Sequence, residues 1–165
     1  MKSTELIAFG DNFIDPTAIG VITLGTDKYV RAAEGNMARD SEYGRVAFDV
    51  VSVALDLQHA TPHYSSLGYE SADNARKALD NFLDQIGREH FTLVGNDTWV
   101  RGDLVRSISA SPGEFVVWAD FQASAAPLQV RRFRGDDDDV TIVSEGVNRA
   151  KRAILSDEAD TSQSC

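Results

Sequence analysis

The residues of this 165-residue chain best suited to recognition chemistry form two charged segments, one directly after the other. The second segment is an unbroken acidic run, Asp136, Asp137, Asp138 and Asp139. Closely spaced carboxylates can take the place of nucleic-acid phosphates against a groove lined by Arg and Lys, so the run is a candidate partner-binding surface. A solvated loop is the simpler interpretation, because runs of like charge repel one another.

The first segment is arginine-rich, with Arg131, Arg132 and Arg134 around Phe133. Arginines on an antiparallel strand can grip a phosphate while an aromatic ring stacks on a base. With Phe133 or Trp118 as that ring, the segment is a candidate site for a small signalling nucleotide. The alternative is an exposed edge strand on which charge prevents pairing with other chains.

Four carboxylates on or near predicted strands are the candidates for acid-base catalysis: Asp49, Asp56, Glu114 and Asp120. A facing pair could supply the general acid and base of a hydrolase, whereas solvent-facing strand residues need no such role. The sequence has no Gly-x-Ser-x-Gly nucleophile elbow and no glycine-rich phosphate loop. We therefore expect a non-enzymatic protein, with a hydrolase as the less favoured alternative.

Metal and redox chemistry have little support in the sequence. His59 and His63 have ligand-like spacing, but Pro62 removes the helix that would bring both imidazoles to one face. Cys165 is the single cysteine, so it cannot form an internal disulfide, and neither a metal knuckle nor a redox pair can be built from it. We expect no cofactor, no metal and a reducing, cytoplasmic location.

The charge balance is strongly acidic and limits the classes of partner. Asp and Glu number 26 against 16 Lys and Arg, which gives a formal charge of -10 and an isoelectric point near 4.6. Such a surface opposes generic binding to nucleic acids and anionic membranes. The N-terminus has no signal-peptide core, and no apolar run has the length of a membrane span. A basic protein or nucleoprotein complex is the expected partner.

An internal duplication is the clearest organisational signal. The segment from Phe9 to Pro16 matches the segment from Val94 to Gly102 in pattern, each with a hydrophobic strand end, a Gly-Asx-Asx turn and an aromatic followed by a β-branched residue. The offset then stays at 86, so Ile19 matches Val105. Turns of this composition tolerate positive φ and predict a hairpin at the start of each copy.

The fold class predicted from these patterns is α+β, with two tandem units that each contain an antiparallel sheet of four or five strands and a C-terminal helix. Helical spacing of apolar residues predicts helices over 71–87 and 144–155. The predicted units are 1–88 and 89–155, joined near Arg88, and 156–165 is a predicted disordered tail. Exposed sheet edges could pair with another copy of the chain, so a homo-oligomer is also possible.

The opening segment from Ile7 to Ile19, with its Phe-Ile-Asp-Pro turn, resembles the start of many short β-rich accessory proteins of phages and mobile elements. The resemblance implies a small, acidic, non-enzymatic protein of the anti-defence type, such as an anti-CRISPR inhibitor. It implies no catalytic or binding residue. The leading hypothesis is an inhibitor of a host nucleic-acid-handling complex, and the alternative is a nucleotide sponge with its ligand in a cleft between the repeats.

Overall fold

The computed structural model has an α+β architecture of antiparallel strands and two α-helices. The residues described are 5–9, 12–32, 37–39, 44–55, 63–69, 72–120 and 128–163. Their strands are β1 (Ile7–Phe9), β2 (Asn12–Ile14), β3 (Ile19–Ala32), β4 (Met37–Arg39), β5 (Gly44–Leu55), β6 (His63–Tyr69), β7 (Phe91–Val94), β8 (Thr98–Arg101), β9 (Val105–Ser111), β10 (Glu114–Ala119) and β11 (Leu128–Arg134). Their helices are α1 (Ala72–Ile86), α2 (Asp137–Gln163) and the 3-10 turns Pro16–Ala18, Arg88–His90 and Gly102–Leu104.

The strands form three antiparallel sheets, of two, three and six strands. The largest has the order β6-β5-β3-β8-β7, with β4 also on β3, and the others are β11-β10-β9 and the β1-β2 hairpin. The largest sheet joins the two halves of the chain, because β8 pairs with β3 from Val21↔Val100 to Thr23↔Thr98. The sequence predicted one separate sheet in each unit. The structure instead has a sheet that contains strands from both halves.

The physical reason lies in the β7-β8 hairpin. A two-stranded hairpin is marginally stable alone, and an open strand edge leaves backbone donors and acceptors unpaired. Pairing β8 on the edge of β3 relieves both problems at once. The backbone N–H of Leu24 extends this junction by donating to the Asp97 carbonyl oxygen at 2.7 Å.

Helix α1 covers a first hydrophobic core against the large sheet. Leu79 and Leu83 are fully buried among Ile19 and Ile22 of β3, and Phe82 contacts Phe9 with ring centroids 5.1 Å apart. The observed helix lies one residue inside the predicted bounds at each end. Its burial matches the apolar stripe at helical spacing that predicted it.

Helix α2 covers a second core, formed with the three-stranded sheet and the β7-β8 hairpin. Val143 and Val147 of α2 are buried in this core with Val117. Phe115 and Phe133 stack in it with centroids 5.5 Å apart. Within the described residues, no helix combines the length and the hydropathy needed to cross a bilayer.

Helix α2 is more than twice as long as the predicted helix over 144–155. The predicted start at Ser144 was wrong, because the Ser144 hydroxyl donates to the Val140 carbonyl inside the helix rather than capping it. Residues 156–163, predicted as disordered, continue the helix, and hydroxyls such as that of Thr161 donate to carbonyls four residues back. Residues 164–165 lie outside the described chain.

Two glycines allow α2 to lie unusually close to the strands. A Cβ at Gly102 would lie 2.6 Å from the Ala150 Cβ, and a Cβ at Gly146 would overlap the Thr92 hydroxyl. Thr92 is itself buried in β7. The helix therefore contacts its neighbours through backbone at these two points.

The close approach predicts an inverted effect for Gly146→Ala. In an exposed helix this change stabilises by about 1 kcal/mol, because alanine has the better helix propensity. Here we expect it to lower the free energy of unfolding by about 1–3 kcal/mol, the usual cost of overpacking. Urea denaturation measures the change.

Two further variants separate overpacking from other effects of that substitution. Asn148→Ala, at an exposed position of the same helix, should be neutral or slightly stabilising. Adding Thr92→Ala to Gly146→Ala should restore part of the loss, because it removes the atoms that the new Cβ meets. Equal losses with and without Thr92→Ala would contradict the contact.

Candidate functional site

A cleft of about 350 Å³ opens where the end of α1, the 3-10 turn Arg88–His90 and the C-terminal half of α2 meet. Pro16 and Thr17 of the first half also line it, so both halves of the chain contribute. Five carboxylates line the cleft: Asp84, Glu89, Asp103, Asp157 and Glu158. Since Arg101 is the single Arg or Lys among the described residues of the lining, these residues have a formal charge of -4 with the histidine neutral.

Gly87 directs the chain from α1 into the cleft. Its φ of +94° lies in the left-handed region, which favours glycine and ends the helix. The Gly87 carbonyl then accepts a hydrogen bond from the His90 backbone N–H at 3.0 Å. A Cβ at Gly87 would lie 2.9 Å from His90 Nδ1, so glycine also leaves room for the imidazole.

His90 is the buried centre of the cleft's polar groups, with 9% of its surface exposed. Its Nε2 lies 2.6 Å from Oδ2 of Asp157 on α2, at hydrogen-bond distance. The same nitrogen lies 3.9 Å from Oε1 of Glu89. An imidazole nitrogen and two carboxylates therefore converge from the 3-10 turn and the long helix.

Arg101 connects the two halves beside the cleft. Its guanidinium forms a two-point ion pair with Asp103, with Nε–Oδ1 at 2.7 Å and Nη2–Oδ2 at 2.8 Å. Its Nη1 donates to the carbonyl oxygen of Thr17 in the first half. The positive charge in the lining is therefore already matched by one of the five carboxylates.

Arg88 balances the acidic end of α1 from outside the cleft lining. Its Nε donates to Asp84 Oδ1 at 2.9 Å, and its Nη2 donates to Asp80 Oδ1 at 3.1 Å. The hydrogen bond that Arg88 donates to the Asp84 carboxylate is the main cause that raises the pKa of Arg88 above its ordinary value.

The acidic run 136–139 begins helix α2, so it is not the loop expected from its charge. Asp136 Oδ1 accepts the backbone N–H groups of Asp138 and Asp139 at 3.0 and 3.1 Å. Asp139 Oδ2 in return accepts the Asp136 N–H at 2.9 Å, which completes a reciprocal capping arrangement. Asp137 and Asp138 are exposed in the first turn, where the helix dipole favours negative charge.

The arginine-rich strand β11 separates its candidate ligand-binding residues between two faces. Phe133 is buried against Phe115, on the face of the three-stranded sheet that packs in the second core. Arg132 and Arg134 lie opposite Val116 and Glu114, on the outer face that also includes half-buried Trp118. Arg132 is bound to Glu114 at 2.8 Å, and Arg131 pairs with Val117 through the backbone. None of the four candidates whose side chains are described, Arg132, Phe133, Arg134 and Trp118, lines the cleft between the halves.

The carboxylates proposed for catalysis are also dispersed. Glu114 and Asp120 stand at opposite ends of β10, about 20 Å apart at roughly 3.3 Å per strand residue. Asp120 is bound to Arg106 at 3.1 Å. Asp49 lies in β5, whereas Asp56 falls outside the described residues.

The histidine motif and the cysteine fall mainly outside the described residues. His59 and Cys165 lie outside the described residues, and His63 begins β6. The group Glu89, His90 and Asp157 was not singled out from the sequence. Asp157 lies in the segment that the sequence predicted as a disordered tail, and 67 residues separate it from His90.

Comparison with protein-family models, with curated proteins and with solved structures finds no match to this chain. The function is therefore argued from the cleft and the surface charges themselves.

The capping geometry predicts different effects for two substitutions at Asp136. Asp136→Ala should lower the free energy of unfolding by about 1 kcal/mol, because two N–H groups lose their acceptor. Asp136→Asn should preserve most of the stability, since Asn caps as well as Asp. Chemical denaturation of both variants measures the difference. An equal loss would assign the effect to charge instead of capping.

Proposed function

We propose that this chain is a small acidic binding protein that recognises a basic group on a partner protein through the cleft between its halves. An inhibitor of a host nucleic-acid-handling complex, the class implied by the N-terminal resemblance, would act in this way. The observation that carries the proposal is the excess of carboxylates in the cleft, five against one guanidinium. A basic surface that normally binds nucleic acid is a suitable complement.

The size and position of the cleft support recognition of one or two protruding side chains. Its volume of about 350 Å³ lies at the lower end of the range for ligand pockets. Glu89 is exposed by 63% of its side chain and Asp157 by 42%, so a Lys or Arg side chain can reach them from solvent. A partly enclosed carboxylate pair holds a cation more strongly than a fully exposed one.

The acidic run provides a second negative surface, on the exposed part of the first turn of α2. Asp136 and Asp139 are occupied in capping, which leaves Asp137 and Asp138 as its outward charges. We include these two residues in the proposal as a separate contribution. They add long-range attraction for a basic partner, which salt screens over about 10 Å at 0.1 M.

We also propose that the chain is a tandem duplication, with hairpin, 3-10 turn, strands and helix in the same order in each half. At the sequence offset of 86, the turn Pro16–Ala18 corresponds residue for residue to Gly102–Leu104, and each is followed by a strand. The hairpin pairs also correspond, since Ala8↔Phe13 has the counterpart Leu93↔Trp99. This agreement in register supports a common origin of the halves.

The environments of the hairpins differ. Trp99 packs against the core under α1, whereas its counterpart Phe13 is 72% exposed. Equivalent positions in sequence thus have different neighbours where β8 pairs with β3.

Matched substitutions test whether equivalent positions act within one cooperative structure. Ile19→Ala and Val105→Ala each remove a buried side chain at the first residue after a 3-10 turn. We expect each to lower the free energy of unfolding by about 2–4 kcal/mol within a single transition, because the halves share a sheet. Calorimetry and urea denaturation measure both. Phe13→Ala is the exposed control, and two separate transitions would contradict the shared structure.

Charge-matched pairs of substitutions test the binding proposal. Glu89→Gln with Glu158→Gln removes two charges from the cleft, and Asp137→Asn with Asp138→Asn removes two from the acidic run. Fluorescence anisotropy with a labelled oligolysine peptide, in the presence of a chelator, measures binding. We expect the cleft pair to weaken binding about three- to ten-fold, as expected for two ion pairs of roughly 0.3–0.7 kcal/mol each.

The acidic-run pair is the matched control, because it changes the net charge by the same amount. It should reduce the salt dependence of binding with a smaller effect on affinity than the cleft pair. Equal losses for the two pairs would mean that binding follows net charge, and the cleft would lose its assigned role.

A further inference from the structure

Three potential metal ligands converge at the inner wall of the cleft. Glu89 and His90 are consecutive residues of the 3-10 turn, and Asp157 reaches them from α2. One nitrogen or carboxylate oxygen from each lies within 4.8 Å of the other two. The imidazole is held by burial and by the Gly87 turn, while both carboxylates are exposed enough to adjust.

The hydrogen bond between His90 and Asp157 does not include Glu89, the third residue of the group. A neutral imidazole offers a single N–H, and at Nε2 that proton can serve the Asp157 carboxylate at 2.6 Å. Glu89 Oε1, at 3.9 Å from Nε2, is beyond hydrogen-bond distance. The Nε2 donor therefore serves Asp157 alone, whereas a divalent cation would bind both carboxylates and the ring nitrogen together.

The two distances from His90 Nε2 reach those of a tetrahedral site after small movements of the carboxylates. Zinc binds histidine nitrogen and carboxylate oxygen at about 2.0–2.2 Å, so its ligand atoms lie about 3.3 Å apart. Asp157 Oδ2 would move away from Nε2 by less than an ångström, and Glu89 Oε1 would move towards it by a similar amount. Both shifts are within the reach of carboxylate rotamers.

We propose that Glu89, His90 and Asp157 form a binding site for a zinc-class divalent cation, with water or a partner's group as the fourth ligand. A nitrogen donor favours zinc and cobalt over magnesium and calcium, which prefer oxygen ligands. Binding at Nε2 requires the neutral ring with its proton on Nδ1. The inference rests on these three residues and does not depend on recognition of a basic partner.

Calorimetric titration of the chelator-treated chain with Zn²⁺ tests the site, with Co²⁺ absorption spectra as a measure of coordination. Cys165→Ser serves as the background, because a free thiol could itself bind zinc. We expect one ion per chain, and Mg²⁺ or Ca²⁺ at equal concentration should not compete. Glu89→Gln, His90→Asn and Asp157→Asn should each weaken zinc binding at least ten-fold.

Two controls test other candidate ligands of the chain. His59→Asn with His63→Asn removes the remaining histidines, and Glu145→Gln removes an exposed carboxylate of α2 away from the cleft. Both should bind zinc like the background. The absence of one-to-one binding, or its loss in the His59 and His63 variant, would overturn the proposal. Since Glu89 is largely exposed, Glu89→Gln keeps the test valid even if His90→Asn fails to fold.

Discussion

The pairing of β8 with β3 is the constraint on which the described structure depends. Its first pair, Val21↔Val100, is buried on both strands, and the pairing attaches the second hairpin to the sheet of the first half. Because β7 follows the turn Arg88–His90 directly, this pairing also fixes where His90 stands relative to α1. Arg101, at the end of β8, then reaches the Thr17 carbonyl oxygen. The cleft is therefore a consequence of how the halves share a sheet.

A second constraint is the depth at which α2 lies on that sheet. Gly102 and Gly146 remove side-chain atoms where the helix crosses the 3-10 turn and β7, so the helix axis lies close to both. The Lys151 ammonium extends the contact by donating to the Val105 carbonyl oxygen at 3.1 Å. Two turns further along, Asp157 meets His90. Packing of α2 in the second core thus determines the distance between Asp157 and His90, which lie outside that core.

Local patterns predicted the parts of the fold that local physics controls. The turn at Gly95, with φ of +65°, the β7-β8 hairpin that it closes and α1 all follow from residues close in sequence. The start of α2 could not be inferred from charge alone, because a run of Asp is compatible with a loop and with a capped helix. Strand alternation alone could have separated Phe133 from Arg132. Non-local packing formed the cleft, and no local pattern joins Glu89 to Asp157.

The described lining of the cleft holds more carboxylates than cations, and this imbalance is the basis of the proposed role in binding. The C-terminal end of a helix carries partial negative charge, yet the last turn of α1 contains Asp84 and neither helix has a basic residue in its last turn. Arg88 offsets the charge of Asp84, and Arg101 offsets that of Asp103. Glu89 adds charge where Asp157 already occupies the single donor of a neutral His90. A cation from outside the chain would offset this negative charge. A basic side chain would need only the negative field, whereas the proposed metal ion would need all three ligand atoms at fixed distances.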